Sequence, residues 1–203
     1  MFIVRSAALT LALVLLALPG RGAAGPVQRF GIVTGATLTN RSFAGATVRD
    51  LDTEEVWGWL LGGRVQWFTP IDRLFLTTEV LLLEKGYARQ IGSETFLDDD
   101  QYVSLPFLAT YDLMRHPTNF HIFGGPSIEI LKGDPAGLGR SNLGLHIGGG
   151  VRLGNFEIDA RYAHDLTDAT GSSPSGPRTV TNRGVFITFG LGIDPTRRAP
   201  STP

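Results

Sequence analysis

The sequence predicts an all-β protein: an eight-stranded antiparallel up-and-down transmembrane β-barrel behind a cleaved signal peptide. Three observations predict it. Apolar residues after Ala24 alternate with polar or small ones at a period of two, in eight successive segments. Short and long connections between those segments alternate strictly. No stretch after the N-terminal segment approaches the ~20 apolar residues that a spanning helix needs.

The leader comes first. Arg5 gives Met1–Ser6 one positive charge, Ala7–Leu18 is apolar but for Thr10, Pro19-Gly20 breaks the run, and Gly22-Ala23-Ala24 offers small residues for cleavage. This is the layout of a secretory signal peptide over residues 1–24. The barrel is expected over 25–193, and 194–203 as a disordered polar tail.

The eight segments are Arg29–Leu38, Trp57–Thr69, Arg73–Lys85, Gln101–Leu113, Thr118–Leu131, Asn142–Leu153, Phe156–Leu166 and Asn182–Ile193. In the sixth, Leu143, Leu145, Ile147, Val151 and Leu153 fall on one face, and Gly144, His146, Gly148, Gly150 and Arg152 on the other. In the seventh, Phe156, Ile158, Ala160 and Tyr162 alternate with Glu157, Asp159 and Arg161. Such alternation marks strands with one greasy face.

Pro70-Ile71-Asp72, Arg115-His116-Pro117 and Gly154-Asn155 supply tight-turn chemistry. The other four connections, around 39–56, 86–100, 132–141 and 167–181, are long and polar. Membrane barrels put short turns on the periplasmic side and long loops outside. Both termini are therefore expected in the periplasm, with outer-membrane lipid around the barrel and the long loops facing out to a partner that the sequence does not name.

Trp57, Trp59, Leu61, Val65 and Trp67 share a face, as do Val103, Leu105, Phe107, Ala109, Tyr111 and Leu113, and these rows are expected to meet lipid. The opposite rows carry charges. A lumen network is expected of Arg64, Glu79, Glu129, His146, Arg152, Glu157, Asp159 and Arg161, with Gln66 and His121 on the same faces. Eight strands enclose an interior that side chains fill, and buried charges there must pair.

Composition narrows the function. With 18 Lys+Arg against 19 Asp+Glu the net charge is -1, without the basic face of a nucleic-acid binder. The absence of cysteine removes disulfides and thiolate metal sites. The histidines at 116, 121, 146 and 164 form no short metal-ligand spacing, and no cofactor is expected. Gly148-Gly149-Gly150 is no phosphate loop, because no helix follows it.

His164-Asp165, with Thr167 and Asp168 nearby, is the best polar cluster outside the lumen. Lipid-deacylating barrels use a His and a Ser two positions apart, but Leu166 stands where the nucleophile would be. A solvated strand end is expected instead, and no enzyme. The alternatives are a soluble exported barrel of the lipocalin kind, with its apolar face inward, and a lipid-modifying outer-membrane enzyme.

Several motifs, in order, resemble the PorT-like outer-membrane β-barrel family. They are Leu83-Glu84-Lys85-Gly86, Val103-Ser104-Leu105-Pro106-Phe107, Phe123-Gly124-Gly125-Pro126, Ile147-Gly148-Gly149-Gly150-Val151, and Asp159-Ala160-Arg161-Tyr162 with Leu166-Thr167. The resemblance implies a Gram-negative outer-membrane barrel domain without assigned chemistry, inserted by the outer-membrane insertion machinery. Many such barrels end on an aromatic residue; here Thr188-x-Gly190-x-x-Ile193 is followed by a polar tail.

Overall fold

A computed structural model describes residues 27–44, 53–91, 94–114, 118–132, 141–166, 169–173 and 176–195. The expected signal peptide, the turn Arg115-His116-Pro117, Thr167, Asp168 and nearly all of the C-terminal tail lie outside these residues. Among the described residues there is no helix.

The strands are β1 (Val27–Ala44), β2 (Thr53–Glu54), β3 (Val56–Phe68), β4 (Leu74–Ile91), β5 (Glu94–Asp112), β6 (Thr118–Leu131), β7 (Ser141–Leu153), β8 (Phe156–Asp165), β9 (Ala169–Ser173) and β10 (Gly176–Ile193). Eight of them form an antiparallel ring in the order β1-β3-β4-β5-β6-β7-β8-β10, closed by pairing of β1 with β10. The short β2 and β9 pair with β4 and β10 beyond the ring. The expected eight-stranded up-and-down barrel is the observed fold.

Tight turns gather at one end. Leu153 pairs with Phe156 around Gly154-Asn155. Gly154 has φ 62°, and Asn155 does not share that sign. This matches the hairpin turn that wants glycine at its first central position. Between β3 and β4 the left-handed residue is Arg73, φ 64°, directly after Pro70-Ile71-Asp72. Thr69 closes that turn by donating its hydroxyl to the Leu74 carbonyl at 2.6 Å. The termini of the ring lie at this end too: Arg29 on β1 donates to the carbonyls of Gly154 (3.0 Å) and Asn155 (2.6 Å).

At the opposite end three of the four expected loops contain more strand than the sequence suggests. Gly86–Ile91 pairs residue by residue with Glu94–Asp99, so most of 86–100 is a hairpin rather than a loop. β1 runs past Leu38 to Ala44, opposite β10 as far as Thr179. The physical reason is that a polar segment leaving the greasy belt still has backbone N–H and C=O groups to satisfy, and its neighbour's ladder does so.

Sidedness follows the alternation. Ile147, Phe156 and Ile187 point outward with 62%, 66% and 43% of their surface exposed. The Arg152 and Glu157 side chains retain only 11% and 4%. Trp57 and Trp59 stand on the outer face towards the long-connection end, Trp67 and Tyr111 towards the turn end. Their polar tips find partners: Trp59 Nε1 donates to Glu84 Oε2 at 3.0 Å and Trp67 Nε1 to Thr78 Oγ1 at 3.0 Å. Such aromatic rings, apolar in body and polar at the tip, suit the two edges of a bilayer.

Candidate functional site

The interior is the one place where the described polar side chains converge, and it is built in three layers. The layer nearer the tight turns is ionic. Arg64 on β3 reaches three carboxylates: Nε donates to Glu79 Oε1 at 2.6 Å, Nη2 to Asp159 Oδ2 at 2.6 Å, and Nη1 to Glu157 Oε1. Arg161 on β8 donates to both oxygens of Glu79, at 2.6 and 3.2 Å. Arg152 on β7 donates to Glu157 Oε2 at 2.8 Å and lies 3.7 Å from Asp112. His121 Nε2 meets Asp159 Oδ1 at 2.8 Å. Six of the eight expected network residues, Arg64, Glu79, Arg152, Glu157, Asp159 and Arg161, thus join in one connected group.

Two lumen-facing glycines make this packing possible. A Cβ on Gly150 would stand 2.1 Å from Asp159 Oδ1 and 2.9 Å from His121 Nε2. On Gly148 it would stand 2.7 Å from the Phe123 ring and 2.8 Å from Arg161 Cβ. Glycine also eases the bending of a strand in a narrow barrel, and here Gly148 and Gly150 leave room for the ionic group opposite them.

Above lies an apolar layer that the sequence analysis does not single out: Val33, Leu60, Leu81, Leu83, Ala163 and Phe186, packed together and buried. His146 belongs to it as much as to the charges, with its ring edge-on to Phe186 at 5.9 Å and 74°. Below, the Arg161 guanidinium lies over the Phe123 ring at 5.3 Å, and His121 stacks on the same ring at 5.9 Å.

The third layer, towards the long connections, is polar again. Lys85 Nζ donates to Glu129 Oε2 and lies 3.5 Å from Asp165. Asp165 also accepts from Asn182 Nδ2 at 2.7 Å. Arg41 donates to Asn182 Oδ1 (2.8 Å), Asp100 Oδ2 (2.7 Å) and the Tyr102 hydroxyl (3.1 Å). The remaining expected network residues, Glu129 and His146, fall here, with Glu129 Oε1 3.9 Å from His146 Nε2. Among the described residues no hydrogen bond or ion pair joins them to the Arg64 group, so the eight expected residues form two groups rather than one continuous network.

Sequence reasoning passed over Lys85, Asp165, Arg41 and Asp112 as network members. Lys85 shares the parity of Glu79 on β4, and Asp165 that of Asp159 on β8, so alternation alone could have found both. Arg41 lay beyond the expected end of β1. The reading of His164-Asp165 as a solvated strand end is corrected for Asp165, which is 3% exposed and points into the lumen. His164 points the other way, half-buried on the outer face and stacked on Tyr162 at 6.3 Å. Adjacent residues of a strand face opposite sides, so these two cannot act as a pair.

His121, Glu157 and Asp159 offer ligand atoms within 4.8 Å of one another. Arg64 already lies on both carboxylates and Arg152 on Glu157, so a metal ion there would displace a guanidinium and leave it buried unpaired. The donor set therefore does not fit a metal.

No family model matches the chain, and no curated protein matches it. Among solved structures it is similar to Ail, the attachment invasion locus protein of Yersinia pestis, in complex with the heparin analogue sucrose octasulfate. Identity is 16% over 81% of this chain and 98% of that one, with a TM-score of 0.44. It is also similar to Neisserial surface protein A (15% identity, 80% and 96% covered, TM-score 0.46). A third is the outer membrane enzyme PagL (16%, 77% and 97%, 0.45). At these values the likeness is one of strand architecture alone.

Proposed function

We propose that the protein is an outer-membrane barrel of a Gram-negative cell, with a plugged lumen and a structural or interaction role carried by the end that bears the long connections. The observation that carries this reading is the inverted polarity of the cylinder. Ile147, Phe156, Phe189 and Ile193 are outside, and Arg64, Glu79, Asp159 and Arg161 are inside. In water that arrangement would expose a continuous apolar belt far larger than the patches soluble monomers carry. In a bilayer it is the arrangement of lowest cost, because the ring leaves no unpaired strand edge in hydrocarbon.

A lipocalin-like carrier would need the reverse, an apolar cavity inside and charge outside. The sorting of turns to the end where both β1 and β10 have their termini supports a periplasmic location for that end. The motif resemblance to the PorT-like family points the same way, to a barrel without assigned chemistry. Among the described residues the charged side chains of the lumen are engaged with one another, which supports a structural role for the interior.

Membrane fractionation and gel migration of the full chain test the reading. The protein is expected in the outer-membrane fraction and to run differently unboiled and boiled. In planar bilayers it is expected to carry no steady current. Recovery as a soluble protein without detergent would overturn the location, and a stable ohmic conductance would overturn the plug.

A further inference from the structure

We infer that the turn-end half of the lumen is a hydration site: water enters beneath Arg29 and ends on His121, below the apolar layer. Two cavities lie there. The shallower has about 20 Å³ of space for water beneath Arg29, beside Gly192. The deeper has about 10 Å³, bordered by Thr77, Thr110, His121 and Phe123. Arg64, Gln66 and Glu157 line both cavities. A single water needs roughly 10–15 Å³ of such space and two to four polar partners, so the deeper cavity fits about one.

The partners are present. Gln66 and His121 both border the deeper cavity, both residues are 2% exposed, and neither Gln66 Oε1 nor His121 Nδ1 has a protein hydrogen-bond partner. The Asp159 carboxylate facing His121 Nε2 at 2.8 Å can only accept, so Nε2 donates to it. Nδ1 is left to whatever fills the cavity. A water molecule has two O–H donors, one for each orphan atom, and a lone pair for a guanidinium N–H of the neighbouring Arg64 or Arg152.

A neutral guest also fits the charges. A metal ion would compete with Arg64, and a small anion would meet Glu79 and Glu157. On the far side Leu60, Leu81, Leu83 and Phe186 present only carbon, and His146 adds a polar ring beside Phe186. The site depends on the barrel interior alone, not on the membrane location proposed above.

The test is water-edited solid-state NMR on the full chain in lipid bilayers, with a high-resolution crystal structure as the second measurement. Polarisation from water is expected to reach the His121 ring and the Gln66 side chain, and not Leu81 or Phe186. The crystal structure is expected to show a water oxygen within about 3.2 Å of both orphan atoms. Gln66→Leu is expected to reduce transfer to His121 several-fold; if that variant fails to fold, the wild-type spectrum decides. A dry His121 would overturn the inference. So would equally fast transfer to Leu81, or an anomalous peak at the site after soaking with bromide or manganese.

Discussion

Glu79 and Arg161 face each other across the full width of the lumen and form a two-bond pair, 2.6 and 3.2 Å. Their strands, β4 and β8, are four places apart in either direction around the ring. The pair is therefore a crossbeam, and Arg64 braces the same carboxylate from a third wall. Removing one member of a buried ionic group strands the others, which costs more than the pair itself contributes.

Glu79→Ala is accordingly expected to destabilise the barrel by about 3–5 kcal/mol, because two guanidinium groups lose their shared acceptor. Urea unfolding in lipid vesicles measures this. A loss under about 1 kcal/mol, the range of exposed ion pairs, would show that water has replaced the carboxylate.

The glycines give an internal comparison. Gly150→Ala places a methyl 2.1 Å from Asp159 Oδ1 and 2.5 Å from the Ile158 carbonyl. A cost of about 1–3 kcal/mol is expected from overpacking. At Gly63 the nearest atom is 3.8 Å away, and Gly63→Ala is expected to stay within about 0.5 kcal/mol of wild type. Thermal melts of the two variants under one condition check the contrast.

The outer face should show its depth. Ile147, midway along β7 and 62% exposed, is expected to cost about 2–4 kcal/mol when changed to Arg. Ile71, as exposed but in the β3–β4 turn, is expected to cost about 0–1 kcal/mol for the same change. Equal small costs at both positions in bilayer unfolding would contradict a lipid belt.

Phe186 is fully buried in the middle layer. Phe186→Ala is expected to lose about 3–5 kcal/mol through the cavity it leaves. Planar-bilayer current should nonetheless remain at baseline, because the Arg64 group still blocks the level below. A current appearing with this single change would place the barrier in the apolar layer instead.

Much of the fold was legible because alternation and tight-turn chemistry are local. Gly154-Asn155 marks its hairpin by itself, and Ile147 or Phe156 declares its side through its neighbours. Strand ends were less legible: β1 reaches Ala44 and β4 reaches Ile91 only because partner strands extend with them, and polar sequence there looks like loop. The lumen was legible as a set of faces but not as contacts. Nothing local says that Glu79 meets Arg161 across the ring, or that leucines divide the charges into two groups. Asp165 shows the cost of reading a residue by its neighbours in sequence rather than by strand parity.

The barrel's seam joins distant parts of the chain: Phe30 pairs with Ile193 and Ala44 with Thr179. The intervening hairpins can zip as they emerge, but β1 stays a raw margin until β10 has arrived. Long-range rungs form slowly, and hydrocarbon does not tolerate a bare margin. Entry into the bilayer must therefore wait for the last strand, or some other surface must hold that first strand until its mate appears.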